Sequence, residues 1–172
     1  MAESHGDEEA SGNDGGTRWL TDEQQRAWRE LVALCTRLPA ALDTQLQRDA
    51  ELSHFEYFVL AVLSEAPKQR LQLNALASAA NASLSRLSHV VTRLEKAGWA
   101  QREPIVGARG SYAVLTPAGL AKVVATAPGH VATVQALVFD GLDDEQVRTL
   151  ATLGAAMVEQ LDRTIAQGTG KA

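Results

Sequence analysis

Between positions 83 and 96 the chain carries a dense set of hydrogen-bond donors: Ser83, Ser85, Ser88, His89 and Thr92, with the cations Arg86, Arg93 and Lys96. At about 100° per residue, Leu84, Leu87, Val91 and Leu94 fall on one helical face, with Val90 beside them. Ser85, His89, Thr92 and Lys96 cluster on the opposite face, flanked by Arg86, Arg93 and Ser88. Short hydroxyls, an imidazole and long cations can enter a major groove and donate to base edges or phosphates. The one acid in the stretch is Glu95, near its end. A plain solvated helix face can carry the same pattern, so the helix alone leaves both readings open.

A second feature lies downstream. Gly107-Ala-Arg-Gly110 sets Arg109 between two glycines at a loop tip. A mobile cation without a local acid suits insertion into a narrow minor groove, although a solvent-exposed turn residue fits too. The charge around both features is uneven. Residues 68–110 hold Lys68, Arg70, Arg86, Arg93, Lys96, Arg102 and Arg109 against Glu95 and Glu103, a net +5 inside a chain of net charge -5. The acidic balance of the whole argues against nucleic acid; its distribution does not. Residues 1–17 carry Glu3, Asp7, Glu8, Glu9 and Asp14 and no Lys or Arg. Helix, loop tip and local charge together favour double-stranded DNA as the partner.

Other chemistries find little support. A single cysteine, Cys35, excludes an internal disulfide framework and a multi-cysteine zinc site. His5, His54, His89 and His130 lack metal-ligand spacing, so no metal and no cofactor is expected. No Gly-rich phosphate loop, nucleophile elbow or paired-carboxylate motif points to an enzyme. The uncharged stretch 123–139 contains Pro128, Gly129, His130 and Gln135 and does not read as a membrane span. The first residues are acidic and Gly-rich rather than a signal peptide, so a cytoplasmic location is expected.

The elements that must position these residues can be read from capping and periodicity. Residues 1–17 have almost no apolar side chains and read as a disordered acidic tail. Thr21-Asp-Glu-Gln24 is a capping-box pattern opening a helix to about residue 48. Trp28, Leu31, Val32, Cys35, Leu38, Leu42 and Leu46 form its apolar stripe, and Pro39 should kink it. Ser53-His-Phe-Glu56 is a second capping box, with Pro67 closing its helix. Asn74 can cap a short helix through residue 80, and Asn81-Ala82 makes a turn. Ser83 or Ser85 starts the donor-rich helix, which Gly98 ends. Residues 99–103 and 111–116 alternate as two strands around a loop containing Arg109. Thr116-Pro117 starts a helix to about residue 140, bent or broken at Pro128-Gly129. Asp143-Asp-Glu-Gln146 caps the last helix, striped by Val147, Leu150, Ala151, Gly154, Val158, Leu161 and Ile165.

The fold class is thus mainly α with a small β-hairpin, a winged helix-turn-helix over 51–116. A dimerisation helix over 18–50 precedes it, and dimerisation helices over 117–172 follow. The outer stripes are too apolar to stand solvated alone and require each other or a second subunit. Gly154 would permit close backbone approach there.

Ser83-Leu-Ser-Arg-Leu-Ser-His-Val-Val-Thr-Arg-Leu-Glu-Lys-Ala-Gly98, followed by Arg102 and by Val114-Leu-Thr-Pro-Ala-Gly119, resembles the MarR family of bacterial transcriptional regulators. The family's Leu-Glu-x-x-Gly and Leu-Thr-x-x-Gly segments stand here as Leu94-Glu-Lys-Ala-Gly98 and Leu115-Thr-Pro-Ala-Gly119. The resemblance covers roughly 28–162, and is specific in the winged helix and loose in the outer helices. It implies a homodimer that binds a palindromic operator, acts as a repressor and is released by a small aromatic ligand. Ser83, Ser85, Arg86, Ser88, His89, Thr92, Arg93, Lys96 and Arg109 are the implied DNA-binding residues. Trp28, His54, Tyr57 and Phe58 would line the ligand pocket, or serve as plain core. One departure is Gly107, which stands where the family wing commonly has the Asp of Asp-x-Arg and leaves Arg109 less pre-ordered. Cys35 could be a peroxide-sensing thiol as in one branch of the family; its place on the apolar stripe points instead to a small buried core residue. The competing reading is a winged-helix protein-interaction module without specific DNA binding.

Overall fold

A computed structural model of the chain describes residues 17–169, in two compact units that divide between residues 37 and 38. The expected disordered tail lies outside the described residues apart from Thr17. In the N-terminal unit the first capping box closes as expected. The Gln24 amide donates to Thr21 Oγ1 at 3.2 Å, and the Thr21 amide donates to Gln24 Oε1 at 3.0 Å. Helix α1 (Asp22–Ala50) begins there and continues through Pro39. Trp28, Val32 and Leu34 are exposed, and so is Cys35, which the sequence stripe placed in a core. The reason lies along the helix: α1 buries side chains only from Leu42 onward, at Leu42, Gln45, Leu46 and Ala50.

The second unit opens with that buried last portion of α1. Helix α2 (His54–Glu65) starts at the second capping box, where Ser53 and Glu56 bond reciprocally, and ends before Pro67. Strand β1 (Arg70–Gln72) follows, then α3 (Leu73–Ala79) and α4 (Leu84–Lys96). Strands β2 (Ala100–Pro104) and β3 (Ser111–Leu115) form the hairpin. The sheet is antiparallel in the order β1-β3-β2, with Leu71 opposite Ala113 and Arg102 opposite Ala113 on the other side. The wing is therefore part of a three-stranded sheet rather than a free hairpin. Three residues are too few to display alternation, so β1 exists only because β3 offers it an edge. Gln72, not Asn74, is the N-cap of α3, and it makes no side-chain capping bond. The core gathers Leu46, Leu52, Val59, Leu60, Leu63, Leu76, Leu87, Val91 and Leu94 from α1 to α4 against Ala113 and Leu115 of the sheet. Leu84, expected on the apolar face of α4, is 54% exposed. As the first residue of the helix it lies beyond the edge of that core.

Helix α5 (Pro117–Val134) explains the second sequence motif. The Thr116 hydroxyl accepts from the Gly119 amide at 3.0 Å and donates to the Gly98 carbonyl at 2.7 Å; the Thr116 amide donates to the Trp99 carbonyl at 3.1 Å. Gly119 is buried, and a Cβ there would stand 2.0 Å from the Trp99 carbonyl oxygen. The two motifs thus meet as one joint between the end of α4 and the start of α5. Of the bend or break expected at Pro128-Gly129, the break does not occur, and helical structure runs on to Phe139 as expected. Buried Val123 and Thr126 on one side and half-buried His130 on the other hold the helix through it. The departure from α geometry comes later, in a π-helical turn at Gln135–Phe139. Asp143 and Gln146 then cap α6 (Asp144–Thr169), whose Leu150, Leu153, Met157, Val158 and Leu161 are exposed.

Replacing Gly119 with alanine drives a methyl into backbone that cannot yield. Gly119→Ala is expected to cost about 3 kcal/mol, near the upper end of overpacking effects, read as a lower midpoint in urea denaturation.

Candidate nucleic-acid interface

Ser83 caps α4, its hydroxyl accepting from the Arg86 amide at 3.2 Å. The cap fixes where the helix begins, and with it which side chains point outward from the core. Ser85, Arg86, His89, Arg93 and Lys96 are exposed on that outer side. A cleft of about 580 Å³ opens beside them, bounded by Ser85, Arg86, His89 and Arg93 of α4, by Phe55 of α2 and its N-cap Ser53, and by Asp43 of α1. Two of the α4 cations are held from α2. The Arg86 guanidinium lies 4.4 Å from the centre of the Phe55 ring, and Arg93 Nη2 is 2.6 Å from Glu56 Oε1. Ser85, His89 and Lys96 have no side-chain hydrogen bond or ion pair to another described residue.

Ser88 and Thr92 occupy a different place. Both are half-buried and turned toward β2, where Arg102 meets them. Arg102 Nη2 donates to the Ser88 carbonyl at 2.7 Å, to Thr92 Oγ1 at 3.1 Å and to Ser88 Oγ at 3.2 Å. Its Nη1 is hydrogen-bonded and ion-paired to the Glu95 carboxylate, and its amide donates to Glu95 Oε1 at 2.8 Å. Glu95, the acid that seemed to interrupt a basic helix face, is therefore spent on the wing. Arg102 was not singled out from the sequence for this work. The signal available was its spacing of seven residues from Glu95 across the Gly98 turn.

The wing loop, 105–110, carries Arg109 exposed at its tip, without an ion pair or side-chain hydrogen bond among the described residues. Gly107 and Gly110 both take positive φ, +76° and +111°, which an L side chain rarely adopts. Gly107 is thus fixed by the turn. An Asp at this position would have to bear a left-handed backbone.

The four residues expected at a ligand pocket do not share one environment. Trp28 belongs to the N-terminal unit and is exposed. Phe58 is exposed at 38%, whereas Tyr57 is buried. His54 and Tyr57 meet His130 of α5, with ring centres 6.2 and 4.7 Å from it. His130 Nδ1 is 3.4 Å from Gln45 Oε1, and the His54 amide donates to Asp43 Oδ1 at 2.8 Å. Burial pushes the His54 imidazole below the ordinary value of 6.5, with Asp43 drawing it partly back. Burial also lowers His130, and the charge His54 would carry lowers it further. Burial raises the Tyr57 phenol.

Among the described residues no group of three or more His, Cys, Asp or Glu could hold a metal ion, and no helix is long and apolar enough to cross a membrane. Residues 52–107 match the MarR family. The chain is similar to Sco3205, a MarR family transcriptional regulator from Streptomyces coelicolor solved in complex with DNA. Identity is 44% over 83% of this chain and 94% of that one, with a TM-score of 0.79. It is similar also to AbsC, a MarR family transcriptional regulator from the same organism, at 38% identity over 85% and 99% of the two chains and a TM-score of 0.78. A mutant MarR from E. coli complexed with operator DNA shares the fold at 20% identity, covering 81% and 99%, with a TM-score of 0.69. No curated protein matches the chain.

Two outcomes follow from these contacts. Arg102→Ala leaves the half-buried Glu95 without its cation and is expected to cost about 2 kcal/mol in urea denaturation. The two histidines bind protons more weakly folded than unfolded. Their contribution to stability is complete above pH 6.5 and falls as pH drops through their lowered folded values. Unfolding free energy measured from pH 7.5 to 5 should decline, and the decline should flatten in a His54→Gln, His130→Gln double variant.

Proposed function

The chain belongs to the MarR family of DNA-binding transcriptional regulators, and from that premise we propose that it acts in the cytoplasm as a homodimeric repressor of a palindromic operator. The observation that carries this reading is the sorting of charge around α4. Of the acids near it, Glu56 and Glu95 are turned onto arginines and Asp43, which also lines the cleft, accepts the His54 amide, while Ser85, Arg86, His89 and Lys96 face outward beside the Phe55 cleft. The outward set combines groups for base edges with groups for phosphates. Arg109 at the wing tip adds a cation suited to the minor groove. Ser83, whose hydroxyl caps the helix, and Ser88 and Thr92, which hold Arg102, support the reading helix from within; the Thr92 hydroxyl gives its proton to the Ser88 carbonyl at 2.9 Å. Sco3205 was solved in complex with DNA, which supports DNA as the partner here.

Dimerisation is supported by the exposed apolar side chains of α6, Leu150, Leu153, Met157 and Leu161, and by Trp28 and Val32 of α1. Exposed rows of this kind mark association surfaces. Two reading helices about one turn of DNA apart then match a palindrome. We also propose that a small aromatic effector releases the operator. The Tyr57, His54 and His130 rings supply a half-buried aromatic and hydrogen-bonding surface for it, joining α2 of the reading unit to α5.

Arg86, Lys96 and Arg109 are the cations on α4 and the wing that no acid neutralises, three in each of two subunits. Six phosphate contacts give a log-log salt slope of about -5. Gel shifts on the protein's own upstream region across salt concentrations should show specific binding with that slope. Ser85→Ala and His89→Ala should cost about 1–3 kcal/mol at particular bases, and Arg109→Ala should weaken operator and random duplexes nearly alike. A protein sedimenting as a monomer at micromolar concentration overturns the dimer. Absence of salt-dependent DNA binding on all upstream fragments leaves the protein-interaction module.

A further inference from the structure

We infer that Glu56 keeps Arg93 off the DNA backbone and so limits the sequence-independent part of the protein's affinity. The inference rests on the proposed docking of α4 in DNA. Its basis is the geometry of one carboxylate. Glu56 Oε2 accepts the Ser53 amide at 2.8 Å and the Ser53 hydroxyl at 2.7 Å, while Oε1 takes Arg93 at 2.6 Å. The Glu56 side chain is 7% exposed; that of Arg93 is 63% exposed. The carboxylate is thus fixed by the capping box of α2 and cannot follow the arginine outward.

A phosphate approaching Arg93 meets a pair whose net charge is zero. It can gain a hydrogen bond, but it replaces no cation's share of counterions, and counterion release is the term that drives backbone binding. Pulling Arg93 away from Glu56 would leave a desolvated carboxylate without its partner, which is costlier than the phosphate contact returns. Arg86, two helical turns earlier, is the informative contrast. Its α2 neighbour is the Phe55 ring, which orients the guanidinium and leaves its charge intact. Adjacent residues of α2 therefore treat two arginines on one side of α4 differently. Phe55 presents one to DNA and Glu56 withdraws the other. A regulator surrounded by random sequence gains from this, because the base readers Ser85 and His89 then supply a larger share of the total binding free energy.

The test is salt-dependent binding of a random duplex by the intact dimer. Glu56→Gln keeps an acceptor for the Ser53 amide and removes the charge that holds Arg93. It should steepen the slope from about -5 to about -7 and tighten random-duplex binding on the order of tenfold at 0.1 M salt. Arg93→Gln should leave the slope unchanged, and the double variant should return it to the wild-type value. A purely structural role for Glu56 would move the denaturation midpoint without moving the slope. The inference is overturned if Glu56→Gln leaves the slope at its wild-type value, or if Arg93→Gln alone flattens it by about 2. Should Glu56→Gln not fold, the Arg93→Gln slope decides the matter in the same way. A wild-type protein that binds neither operator nor random duplex overturns the DNA reading and this inference with it, and the wild-type arm alone reveals that case.

Discussion

The guanidinium of Arg102 reaches from β2 to α4 and takes the Glu95 carboxylate, the Thr92 hydroxyl and both oxygens of Ser88. This contact ties α4 to the wing by side-chain bonds, in addition to the Gly98 turn and the sheet that β3 shares with β1. The contact is half-buried, so water screens it less than a surface pair, yet its members retain enough solvent to avoid the full desolvation cost. The Thr116 and Gly119 joint then fastens the same piece to α5. The end of α4 and the start of α5 are thereby in direct contact.

Charge at the reading face is decided by pairing more than by composition. The basic block of residues 68–110 has a net charge of +5, but Arg102 is spent on Glu95, Arg70 faces Glu103 at 3.5 Å, and Arg93 is neutralised by Glu56, which lies outside the block. Within the block the cations with no acid partner among the described residues are Lys68 beside β1, Arg86 over the Phe55 ring, Lys96 at the end of α4 and Arg109 at the wing tip. A modest electrostatic term suits a protein that must find one site among many.

The glycines of the wing, α5 and α6 serve three separate purposes. Gly107 and Gly110 permit left-handed backbone at the wing tip, and Gly119 permits contact with the Trp99 carbonyl. Gly154, whose added Cβ would meet nothing within one chain, leaves room on the exposed face of α6. Only Gly119 is required by the chain's own packing. Gly154 acquires meaning if α6 lies against a second copy.

Capping boxes at Thr21, Ser53 and Asp143, the cap at Ser83, the stop at Gly98 and the Thr116-Pro117 start were all legible in the sequence. Each is a local hydrogen-bond pattern over three or four residues, and local patterns survive in one dimension. The buried face of α4 was legible for the same reason, except at Leu84, where the edge of the core rather than helical period decides exposure. Strand β1, the exposure of Cys35 and the meeting of His54 with His130 were not legible, because each depends on what a distant segment offers. The sequence by itself determined the order of the helices and of the two hairpin strands, the donor-rich helix and the glycine-flanked wing tip. Only the tertiary structure decided which of its charges remain free, since an arginine's availability is set by whether a carboxylate from another element lies within reach.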